Sequence, residues 1–457
     1  MPTPLPPGPR LPGPVQTALY LSQPLHYLRQ WHQQYGEAFT LRMAGAGNMV
    51  FISSPQDIKR VFNAPMEVVH AGESNSLLRP FLGPHSVVIL DEWDHVRQRR
   101  LLLPPFQGER MQAYAEVMRE VTHASLERWP MARPFPLLDV MTELTLELML
   151  RNVFGLETPE EIAAFSRDFS SLVDSTNSPL RMLPSLIGMD LFTLLPWARA
   201  SRLKRRVDAA IYALVARRRA EPRRPERTDV LGLLLESTHE DGKPMSDQEL
   251  RDALLTLIVA GYETTAIGLS FTVERLLAEP RTLTRMHEEL ERVVGDDELG
   301  PEHIGQLEYL DATIKEALRV RPLVPLISRQ LKGPLELTHY TLPAGVTVLP
   351  AIVLTHFRED LYPEPEHFKP ERFLEQKPDP YAWLPFGGGA RRCLGMAFAM
   401  YEMKVVLATL LWRAKLRLAS SEPVPMINRH IMLAPGGGVP VVLDEVRARR
   451  EGPRRTG

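Results

Sequence analysis

The chain has a single cysteine, Cys393, set in Pro385-Phe386-Gly387-Gly388-Gly389-Ala390-Arg391-Arg392-Cys393-Leu394-Gly395. Consecutive glycines let a backbone fold tightly, and such a loop can aim N–H groups back at a sulfur. Those hydrogen bonds, a following helix N-terminus and the cations Arg391 and Arg392 all lower a thiol's pKa. The loop therefore describes a stabilised thiolate, serving either as a nucleophile or as a metal ligand. Apart from its neighbours, a lone cysteine reads as a small buried hydrophobe. Two further groups carry reactive types. Gly261-Tyr262-Glu263-Thr264-Thr265 sets a carboxylate beside an alcohol, although a helical threonine commonly bonds back to its own turn. Glu316 and Arg319, three apart, share a helix face, a spacing that by itself is usual for a surface ion pair.

Elements must hold these groups in place. Ser246-Asp247-Gln248-Glu249 is a capping box, and helical pattern continues from it to about Ala278 before Pro280. A helix of that length, roughly 50 Å, can cross a whole domain. Gly261, Thr264 and Thr265 are weak helix formers at its middle, so a local widening is expected where a side chain or water enters the ladder. A helix begins just after Cys393 and runs to about Ala414. Earlier, Pro24 to Gly36 reads as a helix, Phe39 to Ile52 as strands, and Ser54-Pro55 as the start of another helix. Ala71 to Leu90 is irregular but apolar, and such a segment should face core or ligand. Two or three helices follow between Glu92 and Leu150. Leu180 to Trp197 is apolar and broken by prolines, and helical pattern resumes to Ala216. Further helices are expected near Arg281–Val294 and Ile304–Val320, then small sheets over Leu335–Thr341 and Val346–Leu349. Ile431 to Leu443 reads as a hairpin around Pro435-Gly436-Gly437-Gly438.

Composition excludes several classes. The chain has 457 residues, 54 Lys+Arg and 56 Asp+Glu, for a net charge of −2, so no global basic excess argues for nucleic acid. Local basic runs at Arg217–Arg227 and in the tail read as solvated loop and frayed end. One cysteine allows no internal disulfide and fits a reducing, cytoplasmic setting. The apolar run Leu254–Ala260 is too short to span a bilayer, and the proline-rich start lacks the apolar core of a signal peptide. Short connections favour one large domain, 1–444, with 1–14 as an extended entry segment and 445–457 as a flexible basic tail.

The spacing of Phe386, Gly389, Arg391, Cys393 and Gly395 matches F-x-x-G-x-R-x-C-x-G, continued by Ala399 and Glu402. This resembles the haem-ligand loop of the cytochrome P-450 family. Glu316-Ala317-Leu318-Arg319 is similar to the family's E-x-x-R helix, Pro370-Glu371-Arg372-Phe373 to its P-E-R-F segment, and Ala260–Thr265 to its A-G-x-[DE]-T-T. The resemblance runs over nearly the whole chain and no motif is missing.

The resemblance implies a mostly α fold with small β-sheets, a single domain enclosing haem b (iron protoporphyrin IX). It implies Cys393 as axial iron ligand, with Glu316, Arg319 and Arg372 as a buried structural trio. Gly261 would leave space for O2, Thr264 would hold a water or hydroperoxide, and Glu263 would relay protons from solvent. Phe386 and Gly395 would shape the haem loop. For the propionates, His95 and Arg99 fit the H-x-x-x-R form, and Trp93 and Arg97 fit W-x-x-x-R. Pro104-Pro105-Phe106 favours the former, with Arg329 and Arg391 as further partners.

A pocket is expected from Leu78, Phe81, Val88, Leu257, Ala260, Val324, Leu326 and Ile327, with contributions from Leu180–Trp197 and Leu433–Pro435. Its apolar character implies a lipophilic substrate: a fatty acid first, with terpenoids or macrolide-like molecules as alternatives. Arg429 or His430 is placed either at a substrate carboxylate or at the surface. The implied activity is oxygen insertion by a bacterial-type, monomeric monooxygenase using O2. Its electrons would come from a separate ferredoxin or flavodoxin with its reductase, docking at Arg97, Arg100, Arg110 and Arg392. A peroxygenase or isomerase is the alternative within the fold, and a haem carrier or gas sensor the alternative outside enzymes.

Overall fold

The computed structural model describes residues 5–107, 110–176, 195–222, 228–295, 297–429 and 431–448. His430 and most of the apolar segment 180–197 lie outside them. At the centre stands the helix Asp247–Ala278. Ser246 Oγ accepts the Glu249 N–H (3.2 Å) while the Glu249 carboxylate accepts the Ser246 N–H (2.8 Å), closing the expected box. At its far end Pro280 cannot continue the helix and starts the next one, Pro280–Val294. Most of the long helix is buried on every side, as a helix that is apolar all round must be. It is also the only described helix long and apolar enough to cross a membrane, and most of that stretch is buried inside the fold.

Neighbouring helices approach it through small residues. A Cβ on Gly268 would lie 3.2 Å from Met403 of the helix Met396–Arg413 and 3.6 Å from Leu318 of the helix Glu308–Val320. On the opposite side, the Thr145 hydroxyl of the helix Leu137–Asn152 donates to the Tyr262 carbonyl (2.8 Å). The expected widening at Gly261–Thr265 is absent. The helix is continuous there, and Thr264 Oγ1 donates to the Ala260 carbonyl (2.7 Å). The threonine satisfies itself on its own turn.

Twelve short strands lie among the described residues: β1 (Ala38–Met43), β2 (Gly47–Ile52), β3 (Val69–His70), β4 (Pro134–Pro136), β5 (Arg329–Leu331), β6 (Leu335–Glu336), β7 (Thr341–Leu342), β8 (Thr347–Pro350), β9 (Ala414–Leu418), β10 (Met426–Arg429), β11 (Met432–Pro435) and β12 (Pro440–Val446). The largest sheet has the order β1-β2-β8-β5-β3, with β2 and β8 parallel and Met49 opposite Thr347. The proline-rich segment lies along it: Thr40 donates its N–H to Pro7 O (2.9 Å) and its hydroxyl to Pro6 O (2.7 Å). That segment is shorter than expected, because a helix opens at Gly13, behind Pro12.

Two sequence expectations are corrected here. Ile431–Leu443 is not one hairpin. β11 pairs back with β10, while β12 pairs with β4 and β9. Gly437 and Gly438 at φ +71°, then Val439 at φ +57°, carry the chain out of one sheet and into another. The domain also runs past residue 444: β12 extends to Val446 and the Arg447 N–H reaches Arg413 O (2.8 Å).

The apolar core is divided. One cluster surrounds the long helix, a second fills the space under β2, β5 and β8, and a third lies between Leu28, Trp31 and β1. Phe81 and Leu257 border the first, Val324 and Ile327 the second, and Leu326 the third.

Candidate active site

Cys393 is held by a loop locked at both ends. Its own N–H donates to Phe386 O (2.8 Å). Gly389 has φ +64°, and a Cβ there would stand 2.2 Å from the Phe62 carbonyl. The glycines are needed for that close approach to the end of the helix Pro55–Phe62. Phe386 packs edge-on against Trp383 (5.9 Å between centroids), whose indole N–H donates to Lys315 O (3.1 Å).

The sulfur's electrostatics differ from expectation. Burial pushes the Cys393 thiol up, against the opposing effects of the Gly395 N–H, Arg99 and Arg392. Arg391 does not assist, because its guanidinium turns to Asp91 (2.5 Å) and to the carbonyls of Leu90 and Val87. Burial thus opposes the thiolate that the Gly395 N–H, Arg99 and Arg392 favour. A bound metal ion would add to the side that favours it, since a coordinating thiol is deprotonated outright. Cys393 is nevertheless open to solvent-sized space, as a ligand position must be.

Glu316, Arg319 and Arg372 come together as expected. Arg319 donates to both Glu316 oxygens (2.7 and 2.8 Å), Arg372 Nε reaches Glu316 Oε1 at 3.3 Å, and Lys369 adds its N–H at 2.9 Å. The Glu316 and Arg319 side chains are fully buried. Sequence reasoning missed the piece that ties this trio to the cysteine loop. His356 Nδ1 donates to Arg319 O (3.1 Å), and its Nε2 accepts the Leu384 N–H (2.9 Å), one residue before Pro385. A histidine between Thr355 and Phe357 carried no signal of this role.

Burial and then Arg319 lower the His356 pKa from 6.5 to about 3. Between these values the unfolded chain binds a proton that the folded chain refuses. Stability should therefore fall as pH drops from about 6.5 toward about 3, by up to about 1.4 kcal/mol per pH unit from this group. Urea unfolding across that window should show a shallower slope in His356→Gln. Parallel slopes would remove His356 as a source of acid sensitivity.

The cations expected around a propionate are gathered. His95 is buried, and its pKa is lowered to about 3 by burial, then by Arg391 and Arg99. Arg329 is buried and lowered to about 10 by burial and Arg391, and Arg391 itself is lowered to about 10, chiefly by burial. Guanidiniums that depress one another are short of anions. The competing register points away: Trp93 is 57% exposed, and Arg97 lies at the surface beside Asp94 (3.4 Å). A group carrying two carboxylates fits the His95, Arg99, Arg329 and Arg391 set.

The long helix presents one accessible stripe. Leu257, Ala260, Gly261 and Thr264 are exposed or half-buried, although most of that helix is buried. Their spacing of three and four keeps them on one face. Leu78, Phe81, Val88, Val324, Leu326 and Ile327 are half-buried as well, as wall residues should be. Gly261 also meets a side chain: a Cβ there would stand 2.8 Å from the end of the Met149 side chain, on the helix Leu137–Asn152. Arg429 has a different assignment: its Nε donates to Glu263 Oε1 (2.7 Å). The carboxylate it holds belongs to the protein.

A cysteine at the head of a helix, a cation set for a dicarboxylate and an apolar wall with a threonine thus occur together. Comparison with known proteins decides what they form. The family model described as Cytochrome P450 matches residues 4–440. The chain belongs to the cytochrome P450 family. This P450 is 41% identical over 449 residues to cytochrome P450 135B1 of Mycobacterium tuberculosis, covering 98% of this chain and 92% of the other. It is 35% identical to cytochrome P450 137 of the same organism, over 90% and 83% of the two chains. Among solved structures, cyanobacterial CYP120A1 with retinoic acid bound superposes with a TM-score of 0.83 at 26% identity, over 97% of this P450 and 100% of the other chain. The P450 is therefore a haem-thiolate monooxygenase by family, and the family implies haem as its cofactor.

Proposed function

We propose that this P450 inserts one oxygen atom from O2 into a lipophilic small molecule, by hydroxylation or epoxidation, with fatty acids the favoured class. The observation that carries the reading is the accessible stripe Leu257, Ala260, Gly261 and Thr264 on a mostly buried helix, within a fold that presents Cys393. Cys393 would hold the haem iron, and His95, Arg99, Arg329 and Arg391 the propionates. Haem bound there supplies the redox chemistry that activates O2. The chain's own part is to bind, orient and move protons. Thr264 offers a hydroxyl on the reacting face, and Glu263, held by Arg429, stands next to it as proton source. The apolar walls exclude water and select by shape.

The cyanobacterial neighbour's ligand is retinoic acid, a lipophilic carboxylic acid, which supports the same class here; terpenoids or macrolide-like molecules fit the walls too. Arg429 is engaged by Glu263, so an acidic substrate has to find another cation or compete for this one. Electrons would come from a separate ferredoxin or flavodoxin with its reductase, and the working location would be the cytoplasm, as a monomer. Of the four arginines expected to dock that partner, Arg97 and Arg100 face Asp94 and Glu240, and the Arg110 side chain lies outside the described residues. Arg392 is exposed at a surface hollow of about 340 Å³ that also touches Cys393, Gln107 and Met400, which would offer an acidic partner an approach to the sulfur.

The test is a spectral binding screen over fatty acids, terpenes and macrolides, followed by turnover with NAD(P)H and redox proteins or with peroxide alone. Soret shifts with fatty acids and product only with the redox proteins are expected. Silence from every fatty acid rejects the substrate class. Product with peroxide alone favours a peroxygenase, and no product at all favours a haem carrier or sensor.

A further inference from the structure

Arg99, Arg329 and Arg391 carry like charges near His95, and one carboxylate, Asp91, faces His95, Arg329 and Arg391. Asp91 precedes the helix Glu92–Leu102, which bears His95 and Arg99, yet its side chain does not cap that helix. Its Oδ1 accepts the N–H groups of Ala71 (2.9 Å) and Gly72 (2.8 Å) and the Arg391 guanidinium (2.5 Å). Its Oδ2 accepts the Glu73 N–H (2.8 Å), with His70 Nδ1 at 3.8 Å. The next residue, Glu92, has φ +48°, a left-handed conformation that glutamate rarely adopts. Such strain persists only where surrounding contacts over-determine it. Gly72 is pressed close as well, since a Cβ there would stand 2.2 Å from Ile89 O. Charge-assisted bonds of this kind are short and strong, and here they join the β3 turn, the cation-bearing helix and the cysteine loop.

We propose that Asp91 is the internal counter-ion and positioning residue of the propionate-binding cations: it fixes Arg391, and with it the cysteine loop, relative to His95 and Arg99. The proposal rests on the reading that those cations hold haem. A negative charge at this point opposes electron uptake by the group the cations hold, so its removal favours the reduced form.

The experiment is the ferric–ferrous midpoint potential of the holoprotein in Asp91→Asn and Asp91→Glu. Asp91→Asn should raise the ferrous-to-ferric ratio at fixed potential at least tenfold, about 59 mV for a one-electron couple. Asp91→Glu keeps the charge and should stay within threefold of the parent. An Asp91→Asn potential within threefold of the parent overturns the proposal, as does an Asp91→Glu shift as large as that of Asp91→Asn. If Asp91→Asn does not accumulate, the parent decides. The amides of Ala71, Gly72 and Glu73 should exchange at least tenfold slower than exposed-loop amides, and exchange at unprotected rates overturns the assignment. A parent without thiolate-ligated haem contradicts the proposed function instead, and the amide measurement, needing no haem, still reports on Asp91.

Discussion

Glu316→Gln should cost the folded P450 about 3–5 kcal/mol and most of its capacity to retain haem. The substitution keeps the shape and removes the charge. Arg319 is then left fully buried beside a neutral amide, with two of its contacts directed at carbonyls, those of His356 and His367. Removing one partner of a buried pair leaves the other charge uncompensated, and that penalty is the source of the figure. The damage reaches the metal ligand through His356, which bridges Arg319 O to the Leu384 N–H at the head of the cysteine loop. Arg372→Ala should be milder, because its bond is longer (3.3 Å) and its side chain meets solvent. Urea unfolding and haem content per chain check both. A loss below about 1 kcal/mol in Glu316→Gln would show that the trio does not hold the proximal side.

Glu263→Gln should lower product formation by about a hundredfold, the lower range for a lost general acid–base group, while leaving the substrate binding constant unchanged. Glu263 is buried and lies on a neighbouring face to the accessible stripe, so in the proposed reading it would act through protons and not through substrate contact. Arg429→Gln should fall between the variant and the parent, since it releases the carboxylate from its 2.7 Å tether without removing it. Thr264→Ala takes the hydroxyl from the reacting face and should waste reducing equivalents, with more NAD(P)H consumed per product. Single-turnover product yields and binding titrations separate these effects. A weaker binding constant with unchanged yield in Glu263→Gln would make that residue part of the pocket wall instead.

What the sequence made legible is what lies close along the chain. The capping box at Ser246, the E-x-x-R pair and the loop around Cys393 are each written within a dozen residues, so their spacing alone constrains geometry. Their tertiary partners are not written anywhere. Asp91 meets Arg391 across 300 residues and Glu263 meets Arg429 across 166, and neither acid differs in type from a surface one. The same limit explains the misread glycine run. The Gly436–Gly438 run looked like a hairpin turn until β12 was seen in another sheet. Arg391 looked like a cation for the sulfur because it is two residues away, yet its side chain is claimed by Asp91. The choice between His95/Arg99 and Trp93/Arg97 rested on the distance from the arginine to Pro104-Pro105-Phe106 that the family resemblance implies, and in the structure His95 is buried while Trp93 is exposed.

The central claim is that Cys393 holds the haem iron as a thiolate, and the carbon monoxide complex of the reduced protein tests it most directly. The parent should give the red-shifted Soret band of a thiolate-ligated haem, and Cys393→Ser should lose that band while the fold, read by far-ultraviolet circular dichroism, stays in place. A red-shifted band that survives in Cys393→Ser would contradict the account.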